Sequence, residues 1–290
     1  MCLIALALGV HPHFPLVVAA NRDEFFERPT AQLGLWLGES GTRLIGGRDL
    51  RGGGAAMALT QAGRIAMLTN VRDPSDVRNY TRSRGELVLR WLESDLAFAD
   101  WLSCTQAVDF AGFNLIVGDT HAQSWHWVSN RSVSPSHAVQ PAWPWHARAL
   151  AYGQIVTISN ASLSTPWPKS KLLEAAMRKA LKSNCGDSPA DEESIRDSLW
   201  TALQDTCKPA DADLPSTGID KTIEKALSSC FVDLRLQPKP YGTRSSSLIL
   251  GKRTGSGLAL QIDERSWPLA PSSADKGGGV PALARYSLGW

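Results

Sequence analysis

MCLIALALGVHPHFPLVVAANRDE, residues 1–24, is the stretch on which the fold turns. Leu3 to Val10 and Leu16 to Ala20 are short, nearly continuous apolar runs. His11-Pro12-His13-Phe14-Pro15 separates them as a proline-bearing turn. Runs of this length without polar alternation read as strands covered on both faces, and the turn joins them as a hairpin. The charged tetrad Asn21-Arg22-Asp23-Glu24 stands at the end of the second run. A hairpin returns that end to the beginning of the first strand, so Arg22 and Asp23 come beside Cys2.

Cys2 is a candidate nucleophile. Methionine aminopeptidase generally removes Met1 when the next residue is small, which leaves Cys2 with a free α-amine beside its thiol. The ordinary pKa values are roughly 7.7–8 for the amine and roughly 8.5 for the thiol, so the amine can accept the thiol proton near neutrality. One residue then supplies both nucleophile and base. Arg22 would favour the thiolate and Asp23 would hold the amine. Read alone, Cys2 fits an inert buried strand cysteine better, and the tetrad fits a solvated turn.

Further strands are expected at Ala55 to Thr60, Arg64 to Leu68, Phe113 to Val117, Ser124 to Val128, Ile155 to Ser159, Cys230 to Leu234, Ser245 to Leu250 and Leu258 to Asp263. Gly46-Gly47 and Gly52-Gly53-Gly54 bracket a turn-rich stretch. Helical spacing predicts helices over Arg84 to Ser103, from Thr165-Pro166-Trp167-Pro168 to about Lys182, and over Ala190 to Thr206. Lys208 to Ser216 is a polar loop inside the pattern, and Pro271 to Gly279 a flexible surface loop. Strands joined mostly by hairpins, with helices between them, give an α+β class: antiparallel sheets with helices on their outer faces, in one domain over residues 1–290. Asn70 and Asn160 each stand at a strand exit. An amide there can donate to a developing oxyanion or serve as a turn residue. Arg244, in Gly242-Thr243-Arg244, precedes another strand and fits a surface arginine.

Thirty basic and twenty-eight acidic residues leave a net charge of +2, which offers no field for nucleic acid or an anionic membrane. No apolar stretch spans a bilayer and no basic region precedes the first run, so neither a secretory signal nor stable membrane insertion is expected. Five cysteines, an odd number with no CxxC spacing, point to a reducing, cytoplasmic setting rather than disulfides or zinc. His11 and His13 read as turn residues, and no metal or cofactor is expected. Eleven tryptophans fit ordinary packing or an apolar pocket.

Met1-Cys2 followed by Ala20-Asn21-Arg22-Asp23-Glu24 resembles the NRDE family, the transport and Golgi organisation protein 2-like proteins. Further matching motifs follow in order: Leu68-Thr69-Asn70, Arg84-Gly85-Glu86-Leu87-Val88, Gly112-Phe113-Asn114-Leu115, Ser159-Asn160-Ala161, Thr165-Pro166-Trp167-Pro168-Lys169, Tyr241-Gly242-Thr243-Arg244 and Glu264-Arg265-Ser266. The resemblance extends to N-terminal-nucleophile (Ntn) hydrolases of the choloylglycine hydrolase type and implies their four-layer αββα sandwich. It implies that Cys2 is the nucleophile, Arg22 tunes its thiol and Asp23 holds its amine. It assigns Asn70 to the oxyanion hole, Asn160 to the amine or substrate, and Arg244 to the charged ring. The implied reaction is hydrolysis of a non-peptide amide or thioester through an acyl-enzyme. One segment departs from the family: Gly53-Gly54-Ala55-Ala56-Met57-Ala58 stands where Gly-Gly-Thr-Trp-Leu-Gly is usual. Eukaryotic members are linked to haem mobilisation, lipid or acyl-CoA metabolism and secretory organisation. A carrier of haem or acyl-CoA, with Cys2, His121 or His126 as axial ligand for haem, is therefore the alternative, and a pseudoenzyme is the third. In each case the partner is a small molecule.

Overall fold

The apolar runs at the start of the chain do become strands: the first begins at Cys2 and ends at Leu8, short of Val10, and the second continues to Phe25. The computed structural model describes residues 2–133, 139–234, 239–255, 257–268 and 282–289. The expected loop at 271–279 lies outside the described residues. One sheet contains β1 (Cys2–Leu8), β2 (Leu16–Phe25), β10 (Gln154–Ile158), β11 (Asp233–Leu234), β12 (Tyr241–Arg253), β13 (Leu258–Ser266) and β14 (Ala282–Gly289). Its order is β10-β1-β2-β12-β13-β14, with β11 paired to β12. The other contains β3 (Thr30–Leu37), β4 (Arg43–Asp49), β5 (Met57–Thr60), β6 (Arg64–Asn70), β7 (Phe113–Asp119), β8 (Ser124–Val133) and β9 (Val139–Ala149), in sequence order. Every pairing described is antiparallel.

The two sheets face each other. Ile4, Leu6, Val18, Ile249 and Ile262 from the first meet Ile45, Leu59, Met67, Ile116 and Trp127 from the second. The opposite faces are covered by helices. Leu3, Ala5, Val17, Ala19 and Leu248 pack under α3 (Pro168–Ser183) and α4 (Pro189–Leu203) through Leu173, Met177, Ile195 and Leu199. Ala58, Ala66, Leu68 and Leu115 pack under α1 (Gly85–Leu92) and α2 (Phe98–Ser103) through Leu87, Val88, Trp91 and Trp101. The result is the four-layer αββα sandwich. Strands buried on both faces explain the unbroken apolar runs, because neither side of the pleat meets water.

Several elements differ from the sequence reading. The tetrad Asn21–Glu24 is not a turn after β2 but part of it, since β1 and β12 pair with it on either side. Gly242-Thr243-Arg244 likewise lies inside β12. Gly46 and Gly47 lie inside β4; a Cβ at Gly46 would stand 2.6 Å from the Met57 carbonyl oxygen. Those glycines record close backbone approach, not a turn. The turn is at Gly53, whose φ is +73°. The expected helix over Arg84 to Ser103 is two helices, interrupted by the polar residues Glu93 to Asp95 and by Leu96, which is exposed. β9 was hidden by Pro141 and Pro144, which its edge position accommodates. β3, β14 and the short α5 (Lys221–Ala226) are also additional. His11 is the expected turn residue: its Nδ1 accepts from the backbone N–H groups of His13 and Phe14.

A buried ion cluster fixes α4 to the sheet. Asp263 on β13 is fully buried and accepts from Arg196 of α4 and, at 2.6 Å, from Arg285 of β14. Removing one partner of a buried pair leaves a poorly compensated charge. Arg196→Met is therefore expected to lower stability by about 3 kcal/mol, read from the midpoint of urea unfolding. An unchanged midpoint would mean that Arg285 alone neutralises Asp263.

Candidate active site

Alternation along β1 and β2 sorts the candidate residues to opposite faces of one sheet. Cys2 pairs directly with Arg22. Ile4 and Ala20 belong to the inter-sheet core, so Cys2 and Arg22, each two residues on, point between the sheets. Asp23 points the other way and pairs with Thr243. β12 carries a bulge there: Thr243 faces Asp23, Ser245 faces Arg22, and Arg244 is the extra residue. A bulge re-aims a side chain without breaking the strand. It lets Thr243 reach Asp23 while Arg244 and Ser245 both line the space between the sheets.

That space is a cavity of about 250 Å³. Cys2, Arg22 and Arg244 line it beside Leu33, Met57, Leu68, Ile262 and Trp267. Ala56 and Met57, from the segment that departs from the family pattern, are part of its wall. The Arg22 guanidinium lies 3.9 Å from Glu24, and its Nη1 is buried without a hydrogen-bond partner among the described residues. Arg244 is held firmly, its Nη1 donating to the carbonyls of Phe25, Phe26 and Arg28 at 3.0–3.2 Å. Burial of the Cys2 thiol pushes its pKa up and the Asp23 charge adds to that; the Arg22 charge and a hydrogen bond from the Asp23 backbone act against it. Such a thiol needs a base close by to become a nucleophile.

On the other face, Asp23 is 2% exposed. Its Oδ1 accepts from Thr243 Oγ1 at 2.8 Å, and its carbonyl accepts from the Tyr241 hydroxyl at 3.0 Å. Burial raises its pKa, and the charge of Lys169 is the chief influence holding it down. Asn160 and Asn70 flank β1 on its β10 side. Ser159 Oγ donates to the Cys2 carbonyl at 3.0 Å, and Asn160 Nδ2 donates to the Asn70 carbonyl at 2.9 Å. Asn160 thus commits one of its two amide N–H groups to holding Asn70. The Asn70 side chain makes no hydrogen bond among the described residues.

Three groups escaped the sequence reading. Lys169 is 3% exposed and donates to the Leu227 carbonyl at 3.1 Å. Arg84 precedes α1, donates to the Gly112 carbonyl, and has its pKa lowered by burial, with Cys2 the neighbour that acts most against that. Asn114 anchors a buried chain: Trp127 Nε1 donates to its Oδ1, its Nδ2 donates to Thr69 Oγ1 and the Ala161 carbonyl, and Thr69 Oγ1 donates to the Ser159 carbonyl. All three lie within the quoted motifs, which was their only signal. His121 lines a separate cavity with Trp125 and Tyr152, and His126 stacks on Phe98; neither lines the Cys2 cavity. Among the described residues no three His, Cys, Asp or Glu side chains gather as a metal-holding group.

A family model described as Transport and Golgi organisation 2 matches residues 1–267. The Transport and Golgi organization protein 2 homolog of Bos taurus is 29% identical over 265 residues, spanning 86% of this chain and 88% of that protein. The Mus musculus homolog is 27% identical over 270 residues, spanning 88% and 90%. Among solved structures, the chain is similar to a Caenorhabditis elegans N-acylethanolamine-hydrolyzing acid amidase ortholog. The identity is 13% and the TM-score 0.42, over 68% of this chain and 85% of that one. It is also similar to a mutant conjugated bile acid hydrolase from Clostridium perfringens, at 11% identity and a TM-score of 0.39, over 98% and 96%.

Glu264 lines the same cavity and is 6% exposed; burial raises its carboxyl pKa, while the Leu33 N–H and Ser266 hydroxyl donate to it. A carboxyl whose pKa is raised on folding stabilises least once ionised, so wild-type stability should fall as pH rises through the raised value. Glu264→Gln removes that loss. The variant should be more stable than wild type by about 1 kcal/mol at pH 8, and the gap should close below the ordinary carboxyl pKa of about 4.3. Thermal unfolding of both proteins across pH checks this; a constant gap would contradict it.

Proposed function

The chain belongs to the Transport and Golgi organisation 2 family, and from that premise we propose that it is a cysteine-dependent N-terminal-nucleophile hydrolase of a non-peptide amide or thioester. The pairing of Cys2 with Arg22 on the wall of the inter-sheet cavity, with Asp23 buried directly behind, carries this proposal. Removal of Met1 exposes the Cys2 α-amine. The amine takes the thiol proton, and the thiolate attacks the substrate carbonyl carbon to form a C–S bond. The oxyanion accepts from the Asn70 amide. Collapse breaks the bond to the leaving amine or thiol, which receives the proton from the α-ammonium. The amine then deprotonates water, which attacks the acyl-enzyme and releases the acid and the Cys2 thiol.

In this scheme Arg22 favours the thiolate, Asp23 orients the amine and Asn160 keeps Asn70 in position. Arg244, tied to three carbonyls, gives the cavity a second fixed cation. At about 250 Å³ the cavity suits a compact acyl group against Leu33, Met57 and Ile262. All five cysteines are free thiols, which fits work in the reducing cytoplasm. No helix among the described residues is long and apolar enough to cross a membrane.

A second reading has its own support. A thiol whose pKa burial raises is a poor nucleophile without the free amine. With Met1 retained, the same cavity would serve as a carrier site for an acyl or haem-like ligand, and Cys2 alone of the three axial candidates lines it.

The test uses the full chain carrying Cys104→Ser, Cys185→Ser and Cys207→Ser, which removes the exposed thiols. It should lose Met1 in its host, hydrolyse members of a panel of short-chain N-acyl amides and acyl thioesters, and show a transient acyl adduct on Cys2 by intact mass. Adding Cys2→Ala should reduce turnover about a thousandfold or more. Retained Met1, with turnover indifferent to Cys2→Ala, would reject hydrolysis by this residue and leave the carrier.

A further inference from the structure

Lys169 occupies the first turn of α3, next to Pro168, and is buried. Lysine is almost never fully buried unless paired. Its hydrogen bond to the Leu227 carbonyl satisfies one of three donors. The surrounding backbone is fixed: Cys230 Sγ donates to the Lys169 carbonyl at 3.6 Å, and Asn21 Nδ2 donates to the Cys230 carbonyl at 2.8 Å. The segment that receives Lys169 also braces Asp23. Thr243 N donates to the Val232 carbonyl, Val232 N donates to Thr243 Oγ1, and that hydroxyl donates to Asp23. One short stretch, 227–232, therefore holds both the ammonium and the carboxylate against the helix-covered face of the sheet.

The other ionisable groups around them are Cys2 on β1, Arg22 on β2, Cys230 ahead of β11, Tyr241 on β12, and Arg72 after β6, which pairs with Glu224 of α5. Arg22 points to the cavity and Arg72 is paired with Glu224; of the cations that act on Asp23, Lys169 acts most strongly, ahead of Arg22. The two support each other electrostatically: Asp23 is the first influence opposing the desolvation of Lys169, and Lys169 the first opposing that of Asp23.

Resting on the amine–thiol chemistry above, we propose that Lys169 is a positioning residue for it: its ammonium balances Asp23 from behind, so the carboxylate orients the Cys2 α-amine without trapping it as an ammonium. A buried carboxylate without that balance would favour the protonated amine and disable the base. With Lys169 in place, the amine gives up its proton more readily and can serve as the base.

The experiment measures the iodoacetamide labelling rate of Cys2 between about pH 5 and pH 9, in processed full-length protein lacking the exposed cysteines. Lys169→Met removes the charge, Lys169→Gln removes it while keeping a donor for the Leu227 carbonyl, and Lys169→Arg restores it. Circular dichroism verifies folding. Both neutral variants should move the acid limb up by about one pH unit, a roughly tenfold slower rate on that limb, and Lys169→Arg should return it toward the parent position. An unchanged limb in a folded neutral variant, or an equal shift in Lys169→Arg, overturns the role of Lys169 alone. A parent protein that keeps Met1, or labels Cys2 without an acid limb, overturns the amine–thiol chemistry and the role of Lys169 with it.

Discussion

β2 is hydrogen-bonded along both edges, to β1 on one side and β12 on the other. A strand held this way cannot slip by one residue without turning every side chain to the wrong face, and here both faces are buried. That constraint puts Cys2 opposite Arg22 and Thr243 opposite Asp23. It also explains how four consecutive polar residues can continue a strand that began as Leu16-Val17-Val18-Ala19-Ala20. Their backbone groups are satisfied by the ladder, and their side chains divide between a cavity on one face and a buried polar cluster on the other.

Electrostatics follow from that division. Burial raises the pKa of Cys2 and Asp23 and lowers that of Lys169, each move favouring the neutral form. The opposing influences come from neighbours on different strands and helices, so the charge states are collective properties of the packed sandwich. Isolated buried charges are costly and survive when paired and hydrogen-bonded. The Asp23 cluster meets that requirement through Thr243 and the charge of Lys169, and the Asp263 cluster through Arg196 and Arg285. The first adjoins Cys2; the second secures α4.

Neutral hydrogen bonding connects the site to the second sheet. Trp127, Asn114, Thr69 and Ser159 form a buried relay that ends at the Cys2 carbonyl. Buried polar groups of this kind are satisfied in one arrangement and expensive in others. The relay therefore fixes how β1 sits against β6 and β7, and with it the breadth of the cavity that Cys2 lines.

The residues alone determined the opening hairpin, the sandwich class and the approach of Arg22 and Asp23 to Cys2. Those features rest on short-range rules: apolar run length, turn chemistry and the return of a hairpin to its start. Glycines inside β4 read as turns, and prolines concealed β9, because local propensity does not reveal which backbone will lie alongside. Arg244 was visible as a residue, but its aim was not, since the bulge that turns it inward exists only where β12 meets β2. Lys169 could be quoted within a motif without disclosing its partner, 146 positions away at Asp23. Tertiary structure alone decided the cavity, the burial of each charge and the balance between Asp23 and Lys169, because desolvation and Coulomb forces act through space between groups that sequence distance keeps far apart.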